Sequence, residues 1–519
     1  MDPNPVLLMT QDANLYRLFA ERFPADKSAC AIETPEGLYY SWDDLEHASA
    51  RIANLLASLD LAPGARVAVQ VEKSPEALLL YLATLRAGLV YLPLNTAYRE
   101  AEIQYFVDNA EPDVVVCSPA NFGWVSKIAF TSGAKHVYTL GDDRTGSLLE
   151  RAAWFGDTFA TVPRSPDDLA AILYTSGTTG RSKGAMLSHG NLASNTRVLH
   201  EFWGWGERDA GDVLLHALPI FHVHGLFVAS HAALYSGSKM IWLSKFDARE
   251  VLHQLPRATV FMGVPTYYVR LLAEPALGRD VCRHIRLFIS GSAPLLRETF
   301  DAFRERTGHT ILERYGMSET VMLVSNPYRG DAAQVRRAGT VGVPLPEVTV
   351  RVVGDDGVPC ARGDIGHIQV KGPNVFAGYW RMPEKTADEF TADGFFKTGD
   401  VGKFDEDGYV HIVGRSKDLI ISGGYNVYPK EIEGFIDEME GVAESAVIGV
   451  PHPDFGEAVV AVVVPRAGAG VAPDERSVID SLKQRIANFK VPKRVHFVSE
   501  LPRNTMGKVQ KNVLREQFK

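Results

Sequence analysis

The stretch Tyr174–Gly184 reads Tyr-Thr-Ser-Gly-Thr-Thr-Gly-Arg-Ser-Lys-Gly and lies between two apolar runs, Leu169–Leu173 and Ala185–Leu187. Short apolar runs bounded by glycine and hydroxyl residues predict buried strands, so the segment is expected to be strand–loop–strand. Ser188-His-Gly-Asn191 then offers a helix N-cap. A loop of this composition brings backbone N–H groups and Ser/Thr hydroxyls close to a phosphate, because Gly177, Gly180 and Gly184 put no side chain in the way. Lys183 adds a positive charge. The loop is not a Walker A motif: Ser182 stands where that motif needs glycine, and Gly184 where it needs Ser or Thr. A solvent turn rich in Gly and Ser is the plain alternative. Hydroxyls, glycines and a lysine directly behind a buried strand favour a phosphate cradle instead, made by Thr175, Ser176, Gly177, Thr178, Thr179, Gly180 and Lys183.

A chain of 519 residues is too long for one core, so several domains are expected. Arg66–Val71, Val90–Pro93 and Val114–Cys117 read as strands, with helical spacing over Ser74–Ala87 and Glu102–Asn109. This is βαβ grammar and predicts a parallel sheet. No GxGxxG stands at its strand–helix turns, which argues against a dinucleotide site. More α/β follows: strands at Val213–Leu218 and Lys239–Leu243, helices at Gly225–Leu234 and Phe246–Leu255. From Thr340 to Asp418 short alternating runs and Asp-Gly turns predict a small antiparallel sheet or barrel. After Arg415 the pattern becomes a compact α+β unit. The expected architecture is α/β. It has a large N-terminal domain over 1–414 (α/β over about 1–165 and 166–335, antiparallel β over 336–414) and a small α+β domain over 415–519.

A net charge of −9 argues against a general nucleic-acid binder. The end of the chain runs against that balance: from Ser481 onward ten Lys and Arg face only Glu500 and Glu516, which suits a polyanionic small ligand. The four cysteines are scattered, with neither metal-like spacing nor a disulfide framework. The N-terminus Met1-Asp-Pro-Asn-Pro has no basic n-region, and no apolar run approaches a membrane span. A cytoplasmic protein without nucleic-acid or membrane partners is expected.

Further motifs carry chemistry. Glu313-Arg-Tyr-Gly-Met-Ser-Glu-Thr320 sets a glutamate beside hydroxyls, and a Mg²⁺ between phosphates takes one or two carboxylates. Ser290-Gly-Ser-Ala-Pro294 follows an apolar strand, and its small residues would let a flat base lie against the backbone. Thr398-Gly-Asp400 offers a carboxylate that can accept from two sugar hydroxyls. Gly414-Arg-Ser-Lys-Asp418, Ser422-Gly-Gly-Tyr-Asn-Val-Tyr-Pro429 and Pro502-Arg-Asn-Thr-Met-Gly-Lys508 complete the set. Taken with Tyr174–Gly184, these words resemble the signatures of the adenylate-forming enzymes (acyl-CoA synthetases, adenylation domains, luciferases).

The resemblance implies ATP, Mg²⁺ and coenzyme A, and a small C-terminal domain that is mobile. It places Gly291, Ser292, Ala293 and Pro294 at the adenine, and Glu313, Arg314, Tyr315, Gly316, Met317 and Ser318 against adenine and acyl group. Ser318 stands where the family more commonly has threonine. Thr175 and Glu319 would hold Mg²⁺, Asp400 the ribose and Arg415 the phosphates. Lys417 would be the hinge, Lys508 the lysine that reaches the acyl-adenylate centre, and Ser422, Gly423, Gly424 and Tyr425 the CoA channel. Such a set fits the chemistry. A carboxylate is a poor acyl donor, but its attack on the α-phosphorus of ATP gives an acyl-AMP by positioning and charge neutralisation, with no protein nucleophile. A thiol then displaces AMP.

Three stretches are expected to line the acyl pocket: Pro219–Gly225 with His222, Gly263–Val269 with Val264 and Thr266, and Arg286, with Gly291 and Met317 closing it. Arg286 is the unusual member. A fatty or aromatic acid does not want a guanidinium, whereas a second carboxylate matches its fork. A structurally paired arginine is the plain alternative. The words Arg286–Pro294, Glu313–Tyr328 and Asn374–Thr386 closely resemble malonyl-CoA synthetases, a likeness that runs from about Leu169 to Lys519. It implies ligation of malonate, with methylmalonate as a further acid, to CoA through a malonyl-adenylate. The alternatives are a CoA ligase for another short or aromatic acid, a stand-alone adenylation domain loading a carrier protein, and a luciferase-like oxygenase. An acetyltransferase and deacetylase acting on Lys508 are the expected protein partners, since acetylation removes its charge.

Overall fold

The computed structural model describes residues 12–175, 182–208, 210–329, 335–422, 425–452, 456–468, 473–504 and 507–519. A seven-stranded sheet runs in the order Gly378–Tyr379, Lys183–Ser188, Leu169–Thr175, Val90–Pro93, Arg66–Gln70, Val114–Cys117, His136–Thr139. Its strands from Leu169–Thr175 to His136–Thr139 are parallel, as the βαβ pattern predicts. Lys183–Ser188 returns antiparallel to Leu169–Thr175, so the phosphate-type loop joins neighbouring strands. A nine-stranded sheet is built on Leu287–Ser290, Val260–Gly263, Val213–His216 and Lys239–Trp242 in parallel, and the hairpin Ile311–Met317/Val321–Ser325 continues it. A four-stranded antiparallel sheet over 349–415 and a five-stranded sheet over 420–497 complete the chain.

The two large sheets are interleaved in sequence, not consecutive as the split near residue 165 expected. Cys30–Glu33 pairs in parallel with Lys239–Trp242, Ile32 lying opposite Met240. Leu169–Ser188, on the far side of that split, belongs to the first sheet. The reason is burial: Ala31, Ile32 and Met240 are all fully buried in one core, and a two-stranded ribbon is not stable alone.

Lys73 fastens the two sheets together. It is buried, and its ammonium donates to the His216 carbonyl (2.8 Å) and the Leu243 carbonyl (2.7 Å), with His216 Nδ1 at 3.0 Å and the Trp242 ring beneath it. His216 Nε2 in turn lies 3.0 Å from the Gly225 carbonyl and from Ser230 Oγ. That carbonyl also accepts from Ser230 Oγ at 3.0 Å. The helix expected over Gly225–Leu234 is a π-helix at His224–Ser230 followed by an α-helix at His231–Tyr235.

The four-stranded sheet ends at Arg415, a single tight turn spans Ser416–Asp418, and the five-stranded sheet begins at Ile420. Gly342 joins the nine-stranded sheet to the four-stranded one: its carbonyl accepts from the Val410 N–H at 2.7 Å. Its φ is +99°, and a Cβ there would lie 2.1 Å from the backbone of Ser325 and Asn326. Gly342→Ala adds left-handed strain to a backbone clash and is expected to cost about 2–5 kcal/mol. Urea unfolding of the variant against the parent checks this; an unchanged midpoint would remove the argument.

Candidate active site

The Ile311–Met317/Val321–Ser325 hairpin aims the central residues. Its turn is strained: Val321 is buried with φ +56°, a region that costs a β-branched residue on the order of 1–3 kcal/mol. The surroundings enforce it. The Phe376 N–H donates to the Glu319 carbonyl at 2.8 Å, and Asn374 Nδ2 donates to the carbonyls of Thr320 (2.7 Å) and Met322 (2.9 Å). A Cβ at Gly316 would lie 1.8 Å from the Val321 carbonyl oxygen, so only glycine passes beneath the turn.

Glu319 thus stands buried at the hairpin tip. Burial raises its pKa, opposed by the Tyr379 hydroxyl, which donates to Oε1 at 2.9 Å. Lys183 leaves the phosphate-type loop 4.1 Å over the Tyr379 ring and 3.5 Å from Glu389. Thr175 Oγ1 lies 3.4 Å from the Lys183 carbonyl. Ser176, Gly177, Thr178, Thr179 and Gly180 lie outside the described residues. Among the described residues no group of three or more His, Cys, Asp or Glu forms a metal cage. One buried carboxylate beside a phosphate loop suits instead an ion held largely by phosphate oxygens.

The residues expected at the nucleotide form a connected set. The Tyr315 hydroxyl donates to Asp400 Oδ2, and Arg415 Nε lies 2.8 Å from Asp400 Oδ1. Both Asp400 oxygens are therefore engaged, with Thr398 capping the Asp400 N–H at 3.1 Å. Glu313 accepts from the Leu295 N–H at 3.0 Å, just past the Gly291–Pro294 loop, and burial pushes it up to about 7. Ser292 holds that loop in a left-handed conformation, φ +70°.

Arg314 turns to the opposite side. It is 3% exposed, and among the described residues its Nε and Nη2 have no hydrogen-bond partner. A Cβ at Gly291 would lie 2.3 Å from its Cζ, so the guanidinium is laid directly over that glycine. Burial pulls Arg314 down to about 9. Burial and then the Arg314 charge hold His222 neutral, down to about 4. His224, also buried, meets Ser292 Oγ through Nδ1 at 3.3 Å, and its Nε2 is without a partner among the described residues. Arg314, His222, His224 and Gly291 form one wall in which Arg314 carries the charge and keeps two nitrogens unpartnered among the described residues.

Arg286 is not part of it, which corrects the expectation that its fork is free for a carboxylate. Nε and Nη2 clasp both oxygens of Asp212 at 2.8 and 2.9 Å, and Nη1 donates to the Trp203 carbonyl at 2.8 Å. The rings of Trp205 and Tyr328 cover its faces. All three nitrogens of the fork are engaged by the protein.

The C-terminal part brings Lys508 in on a tight turn: Asn504 Oδ1 accepts from the Lys508 N–H, and the Lys508 carbonyl accepts from the Asn504 N–H, both at 2.9 Å. The preceding Gly507 abuts Thr266, with Oγ1 3.0 Å from where a Cβ would stand. Thr266 follows Pro265 in the first turn of the helix Pro265–Ala273, and Val264 is its N-cap, so the turn docks on the expected acyl-pocket wall. Desolvation, then Arg415, lowers the Lys508 pKa, while Asp400 and Asp418 oppose. Lys417 lies in the Ser416–Asp418 turn. Ser422 ends a strand, Gly423 and Gly424 lie outside the described residues, and Tyr425 pairs through its backbone with Ser422.

A model for the AMP-binding enzyme matches residues 17–380, and one for the AMP-binding enzyme C-terminal domain matches 431–508. The chain belongs to the AMP-binding enzymes. It is 57% identical to ATP-bound MatB from Rhodopseudomonas palustris, with TM-score 0.93 and coverage of 98% of this chain and 99% of that one. Apo MatB from the same organism has the same identity and coverage but a TM-score of 0.84. Identity being equal, the difference is conformational, and the present arrangement is nearer the ATP-bound one. A malonate–CoA ligase of Arabidopsis thaliana is 35% identical over 99% of this chain and 90% of its own length. No helix among the described residues is long and apolar enough to cross a membrane.

Sequence reasoning grouped Arg314 with the nucleotide residues and missed His224 and Tyr379. Tyr379 lies in the quoted run Asn374–Thr386, but nothing in a Gly-Tyr-Trp word says which side chain it meets. Arg286→Ala is expected to strand the fully buried Asp212 and cost about 3–5 kcal/mol of stability. The folded fraction should keep the parent's ratio of kcat/KM between a dicarboxylic and a monocarboxylic acid. A selective loss of the diacid would return Arg286 to the acyl pocket.

Proposed function

We propose that this AMP-binding enzyme is an ATP-dependent malonate–CoA ligase that forms malonyl-AMP and pyrophosphate, then malonyl-CoA and AMP. The observation that carries the reading is Arg314, a buried guanidinium with two nitrogens unpartnered beside His222 and Gly291. A buried cation without an anion is costly, and a dicarboxylate supplies one. Malonate places its second carboxylate one methylene from the reacting one, so that anion must be met inside the pocket. The planar fork suits it bidentately, and neutral His222 can add a hydrogen bond. The name of the Arabidopsis relative is in line with this reading. Methylmalonate differs by one methyl group, whose room Met317 would limit.

One carboxylate oxygen of malonate attacks the α-phosphorus, the bond to the β-phosphate oxygen breaks, and pyrophosphate leaves. Arg314 holds the distal carboxylate and so orients the reacting one. Lys508, brought to Thr266 on its turn, neutralises the carboxylate and α-phosphate as they approach. Tyr315, Asp400 and Arg415 fix the ribose and phosphates. Glu319 and Thr175 would hold Mg²⁺, which when bound supplies further neutralisation of phosphate charge. For the second half, residues 415–519 turn about Lys417, and the Ser422–Tyr425 loop lines the path of the CoA thiol, which displaces AMP from the carbonyl. We place the enzyme in the cytoplasm. An acetyltransferase acting on Lys508 would switch off the first half-reaction, and a deacetylase would restore it.

Arg314→Met should lower kcat/KM for malonate by the roughly 2–5 kcal/mol of a broken buried charge pair, about 30- to 4,000-fold. Butyrate should be spared, Arg314→Lys should recover part, and Gly291→Ala should act like a mild Arg314 variant by displacing the fork. Steady-state kinetics with both acids decides it; an equal fall for malonate and butyrate would overturn the dicarboxylate reading. Separately, Lys508→Ala should lose malonyl-AMP formation yet still convert supplied malonyl-AMP and CoA to thioester. Equal loss in the two half-reactions would count against its role.

A further inference from the structure

Tyr379 touches two charged groups of the site at once. Its hydroxyl donates to Glu319 Oε1 at 2.9 Å, and its ring face carries the Lys183 ammonium at 4.1 Å. Neither contact follows from the residue's own neighbours in sequence. Both follow from register. Gly378–Tyr379 pairs antiparallel with Lys183–Ser188, Tyr379 opposite Ala185. Lys183 is two residues from Ala185, on the same face of the strand, and is therefore the diagonal neighbour of Tyr379. On the other side, the Phe376 N–H and the Asn374 amide tie the same segment to the strained Glu319 turn. The Tyr379 N–H is itself fixed by Thr386 Oγ1 at 2.9 Å.

We propose that Tyr379 is a positioning residue that sets Glu319 and Lys183 at a fixed separation for the metal-bound polyphosphate of ATP. The proposal rests on the assignment of Glu319 to the metal made above. A phenol has one hydrogen to donate, and it goes to Oε1, which leaves Oε2 for a cation. The ring holds the ammonium from one side without an oxygen acceptor, so the N–H donors on its other side stay available to phosphate oxygens. The second partner of Lys183 is Glu389 at 3.5 Å, and Glu389 also has Lys385 at 2.8 Å. A polyphosphate can therefore take Lys183 from Glu389 while the ring keeps it in place.

Two variants of the full-length enzyme separate the contacts, read by electron paramagnetic resonance of Mn²⁺ with α,β-methylene-ATP and by KM. Tyr379→Phe keeps the ring and the packing and removes only the hydroxyl. It should weaken Mn²⁺ binding in the nucleotide complex about 10-fold, with KM for the acid and for ATP at saturating Mn²⁺ within about twofold. Tyr379→Leu removes the face as well and should raise KM for ATP about 5-fold beyond Tyr379→Phe. If Tyr379→Leu fails to fold, tetrafluorophenylalanine at position 379 tests the ring face with its shape intact. Glu319→Gln is the control. If it loses Mn²⁺ while Tyr379→Phe titrates like the parent, Tyr379 is merely structural and the proposal falls alone. If Glu319→Gln also titrates like the parent, the metal assignment falls and takes the proposal with it. Equal ATP KM values in the two Tyr379 variants would overturn the role of the ring face.

Discussion

The wall proposed to meet the acid depends on one buried charge. Arg314 lies over Gly291 with nitrogens to spare, and no acidic side chain answers it from the described wall. Protein interiors pair their cations or neutralise them, and an exception marks a place where an absent ligand completes the set. The rest of the wall conforms to that charge. Histidines beside it stay neutral, the facing loop is glycine where the fork crosses, and the hairpin that carries Arg314 is held in strain by Asn374 and Gly316. Because one hairpin bears Arg314, Tyr315 and Glu319, the contacts proposed for the acid, the nucleotide and the metal are placed by one element.

Alternation along that hairpin explains how it serves several ends. Arg314 and Tyr315 are successive residues of a strand and point to opposite faces. One lies over Gly291, the other meets Asp400. The seven-residue word Glu313–Glu319 therefore serves both faces of the strand and ends at Glu319, and no single role describes it.

The α/β class, the parallel core and the strand–loop–strand unit were legible because period and turn chemistry are local properties. The words that mark the family were legible for the same reason. Arg286 and Arg314 mark the limit. Each is an arginine at a strand next to small residues, and their types and spacing give no ground for choosing between them. What decides is Asp212, far away in sequence, which reaches Arg286 only because two parallel strands carry it there. A partner supplied by tertiary pairing leaves no local mark. The π-turn at His224–Ser230 was hidden similarly: the groups that meet it, His216 and behind that Lys73, come from distant parts of the chain.

The pairing of Cys30–Glu33 with Lys239–Trp242 has a bearing on how the chain is made. A ribosome releases the ribbon at 30–41 long before its partner strand exists, and the apolar Ala31 and Ile32 wait with it. Loop closure over such a separation is entropically slow, and unpaired apolar edges invite association meanwhile. The ribbon at 30–41 is the edge of a sheet whose body comes from the middle of the chain, so its apolar side chains lack that partner until residue 242 has emerged.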